Sequence, residues 1–235
     1  MSKFTIRVLP LLGILLLAGV NPAHAQGVSA YFGLGSAFDS AATNAGCASS
    51  QIADPLYNPS ASSLPTAPCV AAHGIGSVFG VFGADFMIKP HLGINGEYSF
   101  RFAQAQYVTS PAASNGSGSD IPITVRPAFY DFNAVYQPTS GDKQVVPVIE
   151  GGIGGAHLSY YASQAAGNLF TASTFFGTTN HFQVHGAVGA KIYIHGDVFV
   201  KPQFDIHYVP HLTDQYGRNF VPAFTISIGY AFGRT

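Results

Sequence analysis

The chain has 235 residues, 47% of them hydrophobic and only 9% charged, with 27 Gly, 19 Phe, 12 Tyr and no Trp. A soluble domain typically carries about 25% charged residues, so this composition argues against an ordinary globular domain. Ten basic residues against eleven acidic ones, with no basic patch or arm, exclude nucleic acid as a partner.

The first element is a targeting segment. Met1-Ser2-Lys3-Phe4-Thr5-Ile6-Arg7 is basic, Val8 to Val20 is apolar, and Asn21-Pro22-Ala23-His24-Ala25 supplies small residues. This pattern reads as a signal peptide over 1–25, cleaved after Ala25, leaving 26–235 as the mature domain. The apolar run is shorter than the roughly 20 residues of a helical span, and no later stretch is continuously apolar for that length, which excludes a mature helical membrane protein. Loss of Lys3 and Arg7 leaves eight basic and eleven acidic residues, a formal charge of −3.

From Gln26 onward, stretches of alternating residues predict eight strands, at 27–38, 74–87, 91–104, 124–137, 144–157, 181–194, 198–210 and 220–232. The connections 39–73, 105–123 and 158–180 are long and rich in Ser, Ala, Asn, Gly and Pro, whereas Ile88-Lys89-Pro90, Pro138 to Lys143 and His195-Gly196-Asp197 read as tight turns. Long loops at one end and short turns at the other characterise an outer-membrane barrel, with the long loops outside and both termini in the periplasm. Cys47 and Cys69 fall in the first long loop. Export delivers them to an oxidising compartment. A bridge would close one loop and contribute up to about 3 kcal/mol; the alternative is two free thiols.

Residues two apart share a face of a strand. In the last strand Phe220, Pro222, Phe224, Ile226, Ile228, Tyr230 and Phe232 lie on one face, and Val221, Ala223, Thr225, Ser227, Gly229 and Ala231 on the other. The strand before it separates Val198, Val200, Pro202, Phe204, Ile206 and Tyr208 from Phe199, Lys201, Gln203, Asp205 and His207. The third separates Leu92, Ile94, Tyr98, Phe100 and Phe102 from Asn95, Glu97, Ser99 and Arg101. Alternation alone fits both a lipid-facing barrel and a soluble one with the aromatic face inward. The small, Gly-rich polar face, the low charge, the signal peptide and the loop rhythm together favour lipid outside.

The final strand, Phe224-x-Ile226-x-Ile228-x-Tyr230-x-Phe232, resembles the C-terminal signal that barrel-insertion machinery recognises, although Gly233-Arg234-Thr235 follow it. With this strand, residues 26–232 resemble the eight-stranded outer-membrane barrel superfamily that includes the OmpA transmembrane domain and the OmpX/Ail proteins. The resemblance implies an all-β, antiparallel, up-and-down transmembrane barrel in the outer membrane of a Gram-negative-type bacterium. It also implies lipid and lipopolysaccharide as surroundings and the insertion machinery as a partner; the expected departure from full-length OmpA relatives is a barrel without their peptidoglycan-binding domain. A monomer without cofactor is expected.

The inward face carries the ionisable residues. If Ile194 pairs with Val198 across the His195-Gly196-Asp197 turn, Lys191 faces Lys201, His185 faces His207, and His181 faces His211. If Gln137 pairs with Gln144, Asp131 faces Glu150. Like charges directly opposite destabilise a strand pair, so each needs the other sign nearby. The expectation is a central network in which Lys191, Lys201 and Arg101 are neutralised by Glu97, Asp131, Glu150 and Asp205, with Asp85 as a further member. The network either plugs the barrel, whose interior at eight strands is just filled by side chains, or lines a gated ion path.

Neutral imidazoles suit Zn, Cu or Ni. Residues four apart on a strand are roughly 13 Å apart, so the two histidine rungs cannot share an ion. Hydrogen-bonded lumen histidines are the plainer expectation, and no metal site is assigned. Lipid A 3-O-deacylases resemble this chain in architecture and carry a lipid-facing His-x-Ser with a later acidic partner. His157-Leu158-Ser159 has those residue types, but Tyr160 stands where that family has Asn, and Glu occurs only at positions 97 and 150.

The resulting expectation is a non-enzymatic barrel acting in adhesion, protection or envelope integrity through its outer loops. Loop 39–73, with Tyr57 and several prolines, is the foremost element for an extracellular ligand. The alternatives are a narrow porin-like channel for ions or small solutes and, more remotely, a lipid A deacylase-like enzyme.

Overall fold

The computed structural model describes residues 27–43, 46–55, 66–110, 121–166, 170–212 and 217–233. The signal segment, Tyr57 and the last two residues lie outside them. The described residues form strands β1 (Gly27–Ala37), β2 (Gln51–Ala53), β3 (Cys69–Ala71), β4 (Val78–Lys89), β5 (Leu92–Arg101), β6 (Ala105–Ser110), β7 (Ile121–Tyr136), β8 (Val145–Ala166), β9 (Phe170–His195), β10 (Val198–Tyr208) and β11 (Phe220–Phe232).

Eight of these close a ring. β4, β5, β7, β8, β9, β10 and β11 follow β1 in order, each antiparallel to the last, and β11 returns to β1 from Val28–Phe232 to Ala37–Ala223. Closure removes the unpaired edges that an open sheet presents. β6 resumes the path of β5 after a break at 102–104 and pairs with the outer part of β7, Ala105 facing Val125. The protein is thus an all-β, eight-stranded, up-and-down barrel.

The strand faces separate as the alternation requires. Phe132 is 71% exposed, Ile194 60% and Phe32 59%, and comparable side chains project from every barrel strand. An apolar belt around the whole circumference is far larger than the patches soluble monomers show, and it is the surface that hydrocarbon accommodates. The polar face points inward: Asp85, Glu97, Asp131, Glu150, Lys191, Lys201 and Asp205 are all buried.

Glycine makes room for the largest inward side chains. Tyr31 faces Gly229 on one side and Gly83 on the other. A Cβ at Gly83 would come within 2.2 Å of the Tyr31 ring, and one at Gly229 within 2.3 Å of the Phe199 ring. These glycines let two rings lie across the lumen.

Three expectations are corrected. The segment 158–180 is largely strand rather than loop, because β8 and β9 continue as a hairpin paired out to Ala166–Phe170. The Asp131–Glu150 rung does not exist: Glu150 faces Val135, Asp131 faces Gly154 across β7 and β8, and Asp131 faces Glu97 across β5. The cause is the stagger that closure imposes. Val145 to Val148 pair with β9 before β8 meets the end of β7 at Ile149–Tyr136, so the expected hairpin register is off by four residues and keeps its faces. Finally, His211 does not face His181. β10 ends at Tyr208, just before Pro210, which has no N–H for the ladder, and His211 is exposed with φ +62°.

Candidate functional site

Halfway along the barrel the inward side chains form one hydrogen-bonded layer. Across β9 and β10 the rungs Val200–Ile192 and Gln203–Gly189 set Lys201 opposite Lys191, and His207 directly faces His185. The lysines diverge to different carboxylates. Lys191 Nζ lies 2.7 Å from Asp85 Oδ2 and donates to Ser29 Oγ at 2.8 Å. Lys201 Nζ lies 2.6 Å from Glu150 Oε1 and 4.2 Å from the centroid of the Tyr31 ring.

Tyr31 is the hub. Its hydroxyl donates to Glu97 Oε2 at 2.7 Å and accepts from Asn95 Nδ2 at 2.8 Å and Lys201 Nζ at 3.2 Å. One proton and two lone pairs are thereby all used. Asn95 also donates to Asp85 Oδ1 at 2.6 Å and accepts from Asn133 Nδ2 at 3.1 Å. Asn133 Oδ1 in turn contacts His185 Nδ1 at 2.9 Å. Gln203 donates to Asp205 Oδ1 at 2.5 Å, and Gln183 donates to Asp131 Oδ1 at 2.6 Å.

Hydrogen bonds therefore join Lys191, Lys201, Glu97, Glu150, Asp205 and Asp85 with His185, while Asp131, held by Gln183, and His207, on the rung of His185, lie beside them at the same level. Arg101 sits at the outer end of β5, on the rung of Phe79 and four residues beyond Glu97. His181 lies on β9 opposite Ala156, one turn of the alternation beyond Gln183. The residues that sequence reading missed are the neutral ones, Ser29, Tyr31, Asn95, Asn133, Gln183 and Gln203. Their inward parity was available; their partners needed the barrel's register.

Apolar side chains close the lumen on both sides of this layer. Toward the short turns lie Tyr193, Phe199 and Val146, and beside them Met87, Val135 and Val148. Toward the outside, Phe79, Phe129, Ile123 and Leu158 pack with Ile52 and Val70 of the β2–β3 hairpin and with Leu212. The first long connection is thus folded into the mouth of the barrel, where Asp54 accepts from Ser110 Oγ at 2.8 Å. Cys47 and Cys69, joined by a bond of 2.00 Å, tie its ends. The cavities flanking the polar layer are about 30 Å³ beside Lys191 and about 10 Å³ beside His207.

A second constellation lies on the outward face. His157 and Ser159 of β8 point out, with His157 Nε2 3.1 Å from Ser159 Oγ. His157 Nδ1 lies 2.7 Å from Oδ1 of Asn180, its cross-strand neighbour on β9. Arg126 faces Ser159 from β7 and donates to the carbonyl oxygens of Arg101 at 3.0 Å and Phe102 at 2.5 Å. Asn180 was not found from sequence because it falls outside the predicted strand.

Solved structures with this architecture include a major outer membrane protein from Thermus thermophilus, at 10% identity over 87% of this chain and 99% of that one, with a TM-score of 0.50. The N-terminal β-barrel domain of Pseudomonas aeruginosa OprF matches at 9% identity over 88% of this chain and 99% of its own, with a TM-score of 0.47. Ail, the attachment invasion locus protein of Yersinia pestis, matches at 11% identity over 88% and 98%, with a TM-score of 0.45. The likeness to the Thermus thermophilus protein agrees with the outer-membrane barrel fold that the closed order of eight strands shows. No family model and no curated protein matches the chain.

Proposed function

We propose that this protein is an exported, monomeric outer-membrane barrel whose lumen is a structural plug and whose work is done at its outer surface, in adhesion, protection or envelope integrity. The observation that carries this reading is the filled cross-section. Two lysine–carboxylate pairs and their amide and hydroxyl partners span the middle. Apolar layers cover both ends, and the flanking cavities of about 30 and 10 Å³ hold a water or two at most. A hydrated ion has no continuous path through such a section.

The test is conductance of the purified protein in a planar bilayer, beside a Lys191→Ala, Lys201→Ala variant. A silent parent is expected. Steady conductance in the parent, with ion selectivity altered in the variant, would replace the plug by a narrow channel. Membrane residence is tested by gel mobility with and without boiling, where a heat-dependent shift is expected and identical mobility counts against a membrane barrel.

The hydrogen bonds of His157 favour a second reading, a lipid-facing esterase. Asn180 Oδ1 accepts from His157 Nδ1–H, which leaves the Nε2 lone pair to take the Ser159 proton as Oγ attacks an ester carbonyl. The proton then passes to the leaving alcohol, and water releases the acyl group from Ser159. Arg126, on the neighbouring strand, stands where a phosphorylated headgroup would lie. The test is fatty-acid release from outer-membrane lipid in mixed micelles. Equal rates for the parent and Ser159→Ala remove this reading and leave the plug proposal untouched.

A further inference from the structure

We propose that the lumen holds one first-row divalent transition ion, of the Zn²⁺ class, between Asp131, His185 and His207. Their ligand atoms lie within 4.8 Å of one another, and all three residues are buried. The site comes from three strands, and glycine brings it together. β8 separates Asp131 on β7 from His185 on β9, and its inward residues at this level are Gly154, facing Asp131 and Gln183, and Gly152, facing His185. A Cβ at Gly154 would come within 2.8 Å of Asp131 Oδ1. With no side chain on β8, the carboxylate reaches the histidine rung directly.

Two further observations point to a ligand. His207 Nδ1 is buried and has no hydrogen-bond partner among the described residues. It faces Asp131 Oδ2 at 3.9 Å, too long for a hydrogen bond. Tetrahedral metal–ligand bonds of about 2.0–2.2 Å put two ligand atoms of one ion about 3.3–3.6 Å apart, so the side chains close in by up to about 1 Å to take up the ion. The second observation is charge. The layer sets five carboxyl groups, Asp85, Glu97, Asp131, Glu150 and Asp205, against the ammonium groups of Lys191 and Lys201 and the imidazole that His185 places on Asp205, so a dication beside Asp131 lies among carboxyl groups that outnumber the cationic side chains.

The surrounding hydrogen bonds orient the ligands. Asn95 spends its N–H groups on Asp85 and Tyr31, so its Oδ1 accepts from Asn133 and Asn133 Oδ1 accepts from His185 Nδ1–H. On the neutral ring this leaves the lone pair on Nε2, and Asp205, whose Oδ1 accepts from Gln203 at 2.5 Å and lies 3.3 Å from that nitrogen, is a neighbour of the site. Gln183 holds Asp131 Oδ1 and leaves Oδ2 toward His207. Two imidazoles with carboxylate oxygen suit Zn²⁺ and Cu²⁺ and not Ca²⁺ or Mg²⁺. The imidazoles are stacked, with centroids 4.8 Å apart and planes 26° apart, so His207 turns off the stack to bring its lone pair to the ion.

The experiment is refolding of the chelator-treated protein from urea into detergent across a series of buffered Zn²⁺ concentrations, because apolar layers close both ends of the folded lumen, with bound metal measured after free ion is removed. One ion per chain is expected, with affinity lowered at least tenfold in both Asp131→Asn and His207→Ala and unchanged in His195→Ala, at the exposed turn. Heat-dependent gel mobility reports whether each variant folds. Should either variant fail to fold, ring-nitrogen NMR of the parent decides: two histidines, His185 and His207, shift together on one equivalent of Zn²⁺. No binding by the parent, binding that survives both lumen variants, or shifts confined to other histidines overturns the site.

Discussion

The middle of the lumen and its outer mouth close the same barrel by opposite means. The middle is held by directional contacts, in which Lys201, Glu150, Tyr31, Glu97 and Asn95 each have a specified partner. The outer mouth is held by non-directional packing, with Ile52, Val70, Phe79, Leu158 and Leu212 drawn from segments far apart in sequence. A charged layer tolerates one register and penalises all others, because a slip leaves a buried charge alone. An apolar cap tolerates variation in its parts and depends on what keeps the hairpin in place. The middle fixes the barrel; the cap covers it.

The largest effect is therefore expected in the middle. Lys201→Met leaves Glu150 buried without its cation, and breaking a buried pair in this way costs about 3–5 kcal/mol. Urea unfolding in detergent micelles measures it, and a loss below about 1 kcal/mol would contradict the directional picture. In the mouth, Leu158→Ala removes a fully buried side chain. Its cost is about 2–5 kcal/mol, toward the lower end where the cap collapses to fill the space. A smaller effect follows Cys47→Ser with Cys69→Ser. Opening a loop with a sequence separation of 22 removes about 3 kcal/mol of chain-entropy stabilisation. That loss falls on the hairpin, so proteolysis within 47–69 should accelerate while heat-dependent mobility of the barrel persists.

The two regions were also unequally legible in the sequence. The middle could be read because lipid forces one face to be apolar, which leaves Glu97, Asp131, Glu150, Lys201 and Asp205 with only the inside to occupy. The His195-Gly196-Asp197 turn gave the His185–His207 rung, since a short turn transmits register to its strands. The segment between Gln137 and Gln144 did not, because the strands it joins are staggered by closure, a property of the ring and not of any one hairpin. Tyr31 was invisible as a hub because its aromatic ring reads as a belt residue, and only its spacing from Ser29 and Gly33 assigns it inward. The 158–180 hairpin was missed because its Ser, Ala and Thr residues pair without a clear apolar/polar alternation. The cap rests on contacts between residues such as Ile52 and Leu158, which no local pattern joins.

The smallest expected effect on stability is at the outward constellation. Ser159→Ala removes one hydroxyl from a partly exposed position on the barrel exterior. Substitutions of that kind stay within about 0.5 kcal/mol, so the unfolding curve should overlay that of the parent. A matched curve makes the esterase assay decisive, because any loss of fatty-acid release then reports chemistry and not folding. Asn180→Asp sharpens the same comparison. A carboxylate facing His157 Nδ1 keeps the imidazole's orientation and adds stabilisation of the imidazolium that forms when Ser159 gives up its proton. If His157 serves catalysis, this variant should raise the rate at least tenfold over the parent. If His157, Ser159 and Asn180 are only polar partners at the lipid headgroup level, the variant should leave both rate and stability where they were.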